Sequence, residues 1–116
     1  DGPDEDILGF GQVKPLSSRD YELSSVYVFP EHRRTNVGSA LVERLVEEHF
    51  ESWPRTDLFL LTLQPTVPFY TGLGFQELPS TSLPPALAVE YQLGAAISLF
   101  LKNNIVAMRY KNREAR

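Results

Sequence analysis

VYVFPEHRRTNVGSA, residues 26–40, is the stretch on which the fold turns. It begins as the end of an apolar strand that Pro30 stops, passes through a basic turn, and from Val37 opens a helix. Upstream, Tyr21 to Phe29 (YELSSVYVF) alternates in part, which puts Leu23 and Tyr27 on one face of the strand and Glu22, Val26 and Val28 on the other. Downstream, Val37, Leu41, Val42, Leu45, Val46 and Phe50 recur at helical spacing while Glu43, Arg44, Glu47, Glu48 and Glu51 fill the opposite face. Trp53-Pro54 closes that helix, with Trp53 expected as a hydrophobic plug. Asp57 to Leu63 (DLFLLTL) is then a short continuous apolar run, as in strands buried on both faces. Strand, helix, strand is a parallel crossover, which is right-handed and opens a ligand crevice beyond the carboxyl ends of its two strands. Residues 26–40 lie at that crevice.

The flanks complete one domain spanning 1–116, with 1–6 and 111–116 expected to be flexible. Ile7 to Val13 reads as an edge strand before a turn at Pro15 and Ser17-Ser18. Gln64 to Thr71 reads as a short helix with Pro65 in its first turn, ended by Gly72 or Gly74. Phe75 to Leu78 is a strand and Pro79 to Pro85 a loop. Ala86 to Lys102 is a helix by the spacing of Leu87, Tyr91, Ala95 and Leu99, with Asn103-Asn104 as its cap, and Ile105 to Tyr110 is the last strand. The fold class is α/β: a mixed sheet around a central parallel crossover, with flanking helices.

Composition removes several chemistries. The 116 residues are 42% hydrophobic and 22% charged, as in ordinary globular domains. The absence of cysteine excludes disulfides, thiolate nucleophiles and Cys-ligated metals, and the two histidines, His32 and His49, read as surface residues rather than ligands. No metal is expected. A net charge of −4 argues against nucleic-acid binding and suits an amine-bearing partner. The longest apolar run, Leu58 to Leu61, is far short of the roughly 20 residues that cross a bilayer. The acidic first residues lack the pattern of a signal peptide, so a soluble, intracellular chain is expected.

The strand, basic turn and helix of residues 26–40 aim the first N–H groups of a helix at whatever lies beyond the strand end. Those donors, the helix dipole and two arginines favour a phosphate, and Gly38 lets it approach the backbone. No Lys-Ser/Thr pair follows the glycine, so the P-loop pattern is missing, as is the three-glycine dinucleotide fingerprint.

Two segments carry a family resemblance. Arg33-Arg34-Thr35-Asn36-Val37-Gly38 resembles the Arg/Gln-x-x-Gly-x-Gly/Ala signature of the GNAT superfamily of acyl-CoA-dependent N-acyltransferases, with Asn36 in place of one glycine. Phe69-Tyr70-Thr71-Gly72-Leu73-Gly74-Phe75 resembles that family's Phe-Tyr-x-x-x-Gly-Phe segment, about 30 residues further on. Asparagine tolerates left-handed backbone and is a strong N-cap, so Asn36 is expected to preserve the cradle. The resemblance implies acetyl-CoA as cosubstrate. It implies that the backbone of Val26, Tyr27 and Val28 pairs with the pantetheine arm, and that Arg33, Arg34, Thr35, Asn36, Val37, Gly38, Ser39 and Ala40 hold the pyrophosphate. Gln64 and Phe69 would flank the arm, Tyr70 would protonate the departing thiolate, and Glu22 would be a general base.

An alkylammonium has a pKa near 10 and attacks a thioester only once deprotonated, hence the need for a base such as Glu22. The oxyanion of the tetrahedral intermediate needs a donor, for example Tyr27's N–H, and a phenol suffices to protonate a thiolate. The expected activity is therefore acetyl transfer to a primary amine. The alternative is a weakly catalytic or inactive CoA-binding module, and a purely structural domain is a third reading. Each residue also has an ordinary role: Arg33 and Arg34 in a solvated turn, Asn36 as a cap only, Tyr70 as a core aromatic, Glu22 as a solvated strand carboxylate. Against the family pattern, a preceding strand and helices are expected to be lacking, and residues 79–104 insert a helix between the last two strands. That helix either lines a substrate pocket or makes a homodimer contact.

Overall fold

The computed structural model describes residues 9–28, 36–101 and 104–111. In chain order the elements are β1 (Gly9–Pro15), β2 (Asp20–Val28), α1 (Val37–Ser52), β3 (Asp57–Leu63), α2 (Val67–Gly72), β4 (Phe75–Leu78), α3 (Pro85–Leu101) and β5 (Ile105–Tyr110), with 3-10 turns at Gln64–Thr66 and Ser80–Ser82. The strands form one mixed sheet in the order β1-β2-β3-β5-β4. β2 and β3 are parallel, joined by α1, and the other pairings are antiparallel. The expected crossover and edge strand are both present. β1 extends beyond Val13 to Pro15, which an edge strand tolerates at its end. The expected helix at 64–71 divides into a 3-10 turn and α2. The expected cap at Asn103 lies outside the described residues.

The two faces of the sheet have different covers. Leu23, Val42, Val46, Leu58, Leu60, Val67, Phe75, Val106 and Met108 form one buried cluster beneath α1 and α2. The residues that alternate with them, Phe59 and Ala107, are buried on the opposite face, where α3 runs along β5 and Leu87 is fully buried. α3 presents Val89, Leu93 and Ile97 to solvent.

Two expectations are corrected. Between Phe10↔Tyr27 and Gln12↔Ser24 the strands fall out of step: β2 advances three residues while β1 advances two. This bulge reverses the alternation of β2. Val26 packs against the α1-side core and Val28 approaches Gly38 of α1, so both share the face of Leu23. Tyr27 turns to the face of Glu22, its ring centroid 5.5 Å from that of Phe10. The second correction is His49, which is buried rather than on the surface. Its Nε2 lies 2.9 Å from Thr56 Oγ1, and that hydroxyl donates to the Trp53 carbonyl at 2.8 Å. With the hydroxyl proton committed there, Nε2 is the donor, and the pair pins the α1–β3 turn. Trp53 caps α1 and stacks on Tyr21, but half of it stays exposed.

Candidate active site

Among the described residues, β2 and β3 pair only at Asp20↔Asp57, Tyr21↔Leu58 and Glu22↔Phe59. Beyond Glu22, β2 stays with β1 as far as Val28, while β3 stays with β5 as far as Leu63. The parallel strands therefore part into a wedge that opens toward their carboxyl ends, with Glu22 at its apex and residues 24–28 and 60–63 as its walls. Val26, Tyr27 and Val28 lie on one wall.

The amino end of α1 stands at the mouth of the wedge. Asn36 is left-handed, with φ 68°, and its carbonyl accepts the Ala40 N–H at 3.0 Å. Its side chain makes no capping hydrogen bond, so the left-handed geometry is as expected and the capping role is not. The first N–H groups of α1, in the turn of Val37, Gly38 and Ser39, have no intrahelical acceptor, and no acidic residue lies in that turn. A Cβ on Gly38 would sit 3.4 Å from Phe69 Cζ and 3.7 Å from Val28 Cγ2. The helix start, the wedge wall and α2 thus converge on one point. Gln64 follows β3 directly, with its N–H bonded to the Asn104 carbonyl at 2.9 Å and its side chain exposed. Arg33, Arg34 and Thr35 lie outside the described residues.

Tyr70 and Glu22 lie on opposite faces. Tyr70, half-buried on α2, packs against the α1-side core, edge-on to Phe69 and Phe75 at 5.0 and 5.8 Å. Burial pushes its phenol above the ordinary value, so it is protonated at neutral pH. Glu22 is only 4% exposed and belongs to the α3 face. Burial first, and then Glu90 of α3, push its carboxyl up to about 7 against the opposing pull of Lys14. Lys14 Nζ stands 3.6 Å from Glu22 Oε1 and 3.2 Å from Glu90 Oε2. The sequence reading missed both neighbours. Lys14 is legible only through the hairpin register that sets it opposite Glu22, and Glu90 comes from an element distant in sequence. A separate groove of about 620 Å³ runs along the flank of α1 between Glu43, Glu47 and Glu51 and the Leu73 and Tyr110 side chains. Its acidic rim makes it unsuited to phosphate, and it lies apart from the wedge.

Among the described residues no helix is long and apolar enough to cross a membrane. The family model for the acetyltransferase (GNAT) domain matches residues 2–77. No curated protein matches the chain. Among solved structures, N-acetylglutamate synthase from Neisseria gonorrhoeae, complexed with coenzyme A and N-acetyl-glutamate, is similar over 94% of this chain at 18% identity and a TM-score of 0.72. This chain covers 24% of that one, about a quarter of its length. A Mycobacterium tuberculosis protein in complex with CoA is similar at 22% identity and a TM-score of 0.68, over 95% of this chain and 72% of that one. Nourseothricin acetyltransferase shares 26% identity at a TM-score of 0.63, over 94% of this chain and 60% of that one. The split parallel pair and the start of α1 fall within the segment matched by the family model, and the chain belongs to the acetyltransferase (GNAT) domain family.

Proposed function

We propose that the chain transfers an acetyl group from acetyl-CoA to a primary amine by direct attack. The observation that carries this reading is the wedge between β2 and β3 with the amino end of α1, which the Asn36 side chain does not cap, at its mouth. In this reading the turn from Asn36 through Val37, Gly38, Ser39 and Ala40, together with Arg33, Arg34 and Thr35, holds the pyrophosphate. The backbone of Val26 to Val28 pairs with the pantetheine arm like an added strand, between Gln64 and Phe69. The thioester then comes to the apex of the wedge, between the two faces of the sheet. Glu22, on one face, accepts the amine proton. Tyr70, on the other, donates its proton to the leaving sulfur. Separate groups on the two faces allow one to take the proton of the attacking nitrogen and the other to give one to the sulfur as the tetrahedral intermediate collapses and the C–S bond breaks.

Calorimetric titration of the full chain with acetyl-CoA, CoA and dephosphorylated pantetheine tests the cradle. Saturable micromolar binding that requires the phosphates is expected, and a folded chain that binds none of the three overturns the reading. One observation favours a second reading, a CoA-binding module with little turnover: the candidate base already faces the ammonium of Lys14. Acetyl-CoA binding without acetyl transfer across a panel of primary amines would support it.

A further inference from the structure

The lysine that faces Glu22 has the chemistry of a substrate. Lys14 lies on the solvent side of the pair, its side chain 40% exposed, while Glu22 beneath it is 5% exposed and Glu90 at the rim 34%. Its primary ammonium, on a flexible four-carbon stem, stands between two carboxylates from different elements, one on β2 and one on α3. Glu22 Oε1 is buried and, among the described residues, accepts no hydrogen bond, since 3.6 Å to Lys14 Nζ is too long for one. Two carboxyls converging on one point either share a proton, as the raised pKa of Glu22 allows, or hold a cation between them. Once Glu22 is ionised, above about pH 7, its buried Oε1 suits a single positive group with several donors seated closer than the 3.6 Å of Lys14. Glu22 also marks the apex of the wedge, the last residue of β2 paired with β3.

We propose that Glu22 and Glu90 form a cradle for one primary alkylammonium group, that Lys14 is its resident occupant, and that an acceptor amine enters by displacing Lys14. The cradle stands on this geometry, and its assignment to the acceptor rests on the acetyl-transfer reading above. Glu90 becomes a positioning residue that selects cationic acceptors, supplied by the helix inserted between the last two strands. Lys14 becomes an internal competitor. Its ammonium is held charged above the ordinary lysine value by Glu90 and then Glu22, so it blocks the site without readily becoming a nucleophile itself. The displacing group is an alkylammonium on a flexible stem, carried by a free amine or by a peptide lysine.

The test is an NMR titration of the full chain with n-butylammonium at pH 8, without acetyl-CoA, alongside tetramethylammonium and a lysine-containing tripeptide. Lys14→Met is expected to bind n-butylammonium about tenfold more tightly than the wild type, Lys14→Arg to behave as the wild type, and Lys14→Met with Glu90→Gln to lose the gain. Preference for the tripeptide would identify a peptide-borne acceptor, and preference for butylammonium a free one. Equal binding by wild type and Lys14→Met, or tetramethylammonium binding as well as n-butylammonium, overturns the cradle. If Lys14→Met fails to fold, the titration of the Lys14 ammonium in the wild type decides the matter: Glu90→Gln is expected to lower its pKa, and no change overturns the proposal. Acetyl transfer is measured separately. Tight butylammonium binding without transfer would sustain the cradle and count against the enzymatic reading.

Discussion

Tyr70 and Glu22 carry opposite protonation demands, and their surroundings meet the first at all pH near neutrality and the second only above about pH 7. Burial keeps the phenol protonated, as an acid must be, whereas Glu22 must be ionised to act as a base. Tyr70→Phe keeps the ring and its contacts with Phe69 and Phe75, so kcat is expected to fall about 10²-fold with acetyl-CoA affinity nearly unchanged. Loss of affinity without loss of rate would remove Tyr70 as the acid. For Glu22, the wild-type rate is expected to rise through about pH 7 as the carboxyl ionises. In Glu22→Gln that limb should disappear and the profile move to higher pH, where the amine deprotonates unaided; an unchanged profile excludes Glu22 from the mechanism. Gly38→Ala separates ligand from fold. Its new methyl meets Phe69 at ordinary contact distance and favours the helix, so stability should hold while CoA binding weakens about tenfold or more. Unchanged CoA affinity in that variant would show that the ligand does not approach this backbone.

At the scale of elements, what was legible in the sequence is what repeats locally. The 3.6-residue spacing of Val42, Val46 and Phe50 and the unbroken apolar run of Asp57–Leu63 each specify an element without reference to any other. The crossover follows from them, as does the position of the helix terminus. The β2 bulge was not legible, because register belongs to two strands together: counting along β2 alone placed Val26 and Val28 on the wrong face. His49 was misplaced because a lone histidine among glutamates reads as polar surface, whereas its ring closes a turn through Thr56. Glu90 lies on a helix whose relation to β2 only the folded chain defines. The β1–β2 pairing itself leaves no room near its start. A Cβ on Gly9 would lie 2.6 Å from the Tyr27 carbonyl oxygen and 3.1 Å from Val28 Cα, backbone atoms that have no rotamer to adopt. Gly9→Ala is therefore expected to cost about 1–3 kcal/mol in urea unfolding, and an unchanged midpoint would show that β1 shifts freely.

For the molecule as a whole, the buried carboxyl of Glu22 links stability to pH. Its folded pKa of about 7 lies above its ordinary value of 4.5, so the folded chain binds the extra proton between these values. That contribution is fully present below about pH 4.5 and is lost as pH rises through about 7, on the order of 1–3 kcal/mol. The melting temperature of the wild type should reflect this loss across that window and Glu22→Gln should not; parallel curves would contradict the burial argument. The split sheet has a further consequence, which concerns the order of assembly. β1 and β2 form a hairpin closed by a short turn, and β3, β5 and β4 form a second unit, yet among the described residues the ladder that joins the two is only three pairs long. That joint brings together residues from opposite ends of α1, so its loop-closure entropy must be met before the contact rewards it. The seam should therefore close late during folding and open early in native-state hydrogen exchange. A molecule lodged between β2 and β3 would bridge both units and slow their separation, acting as a kinetic clasp on the fold.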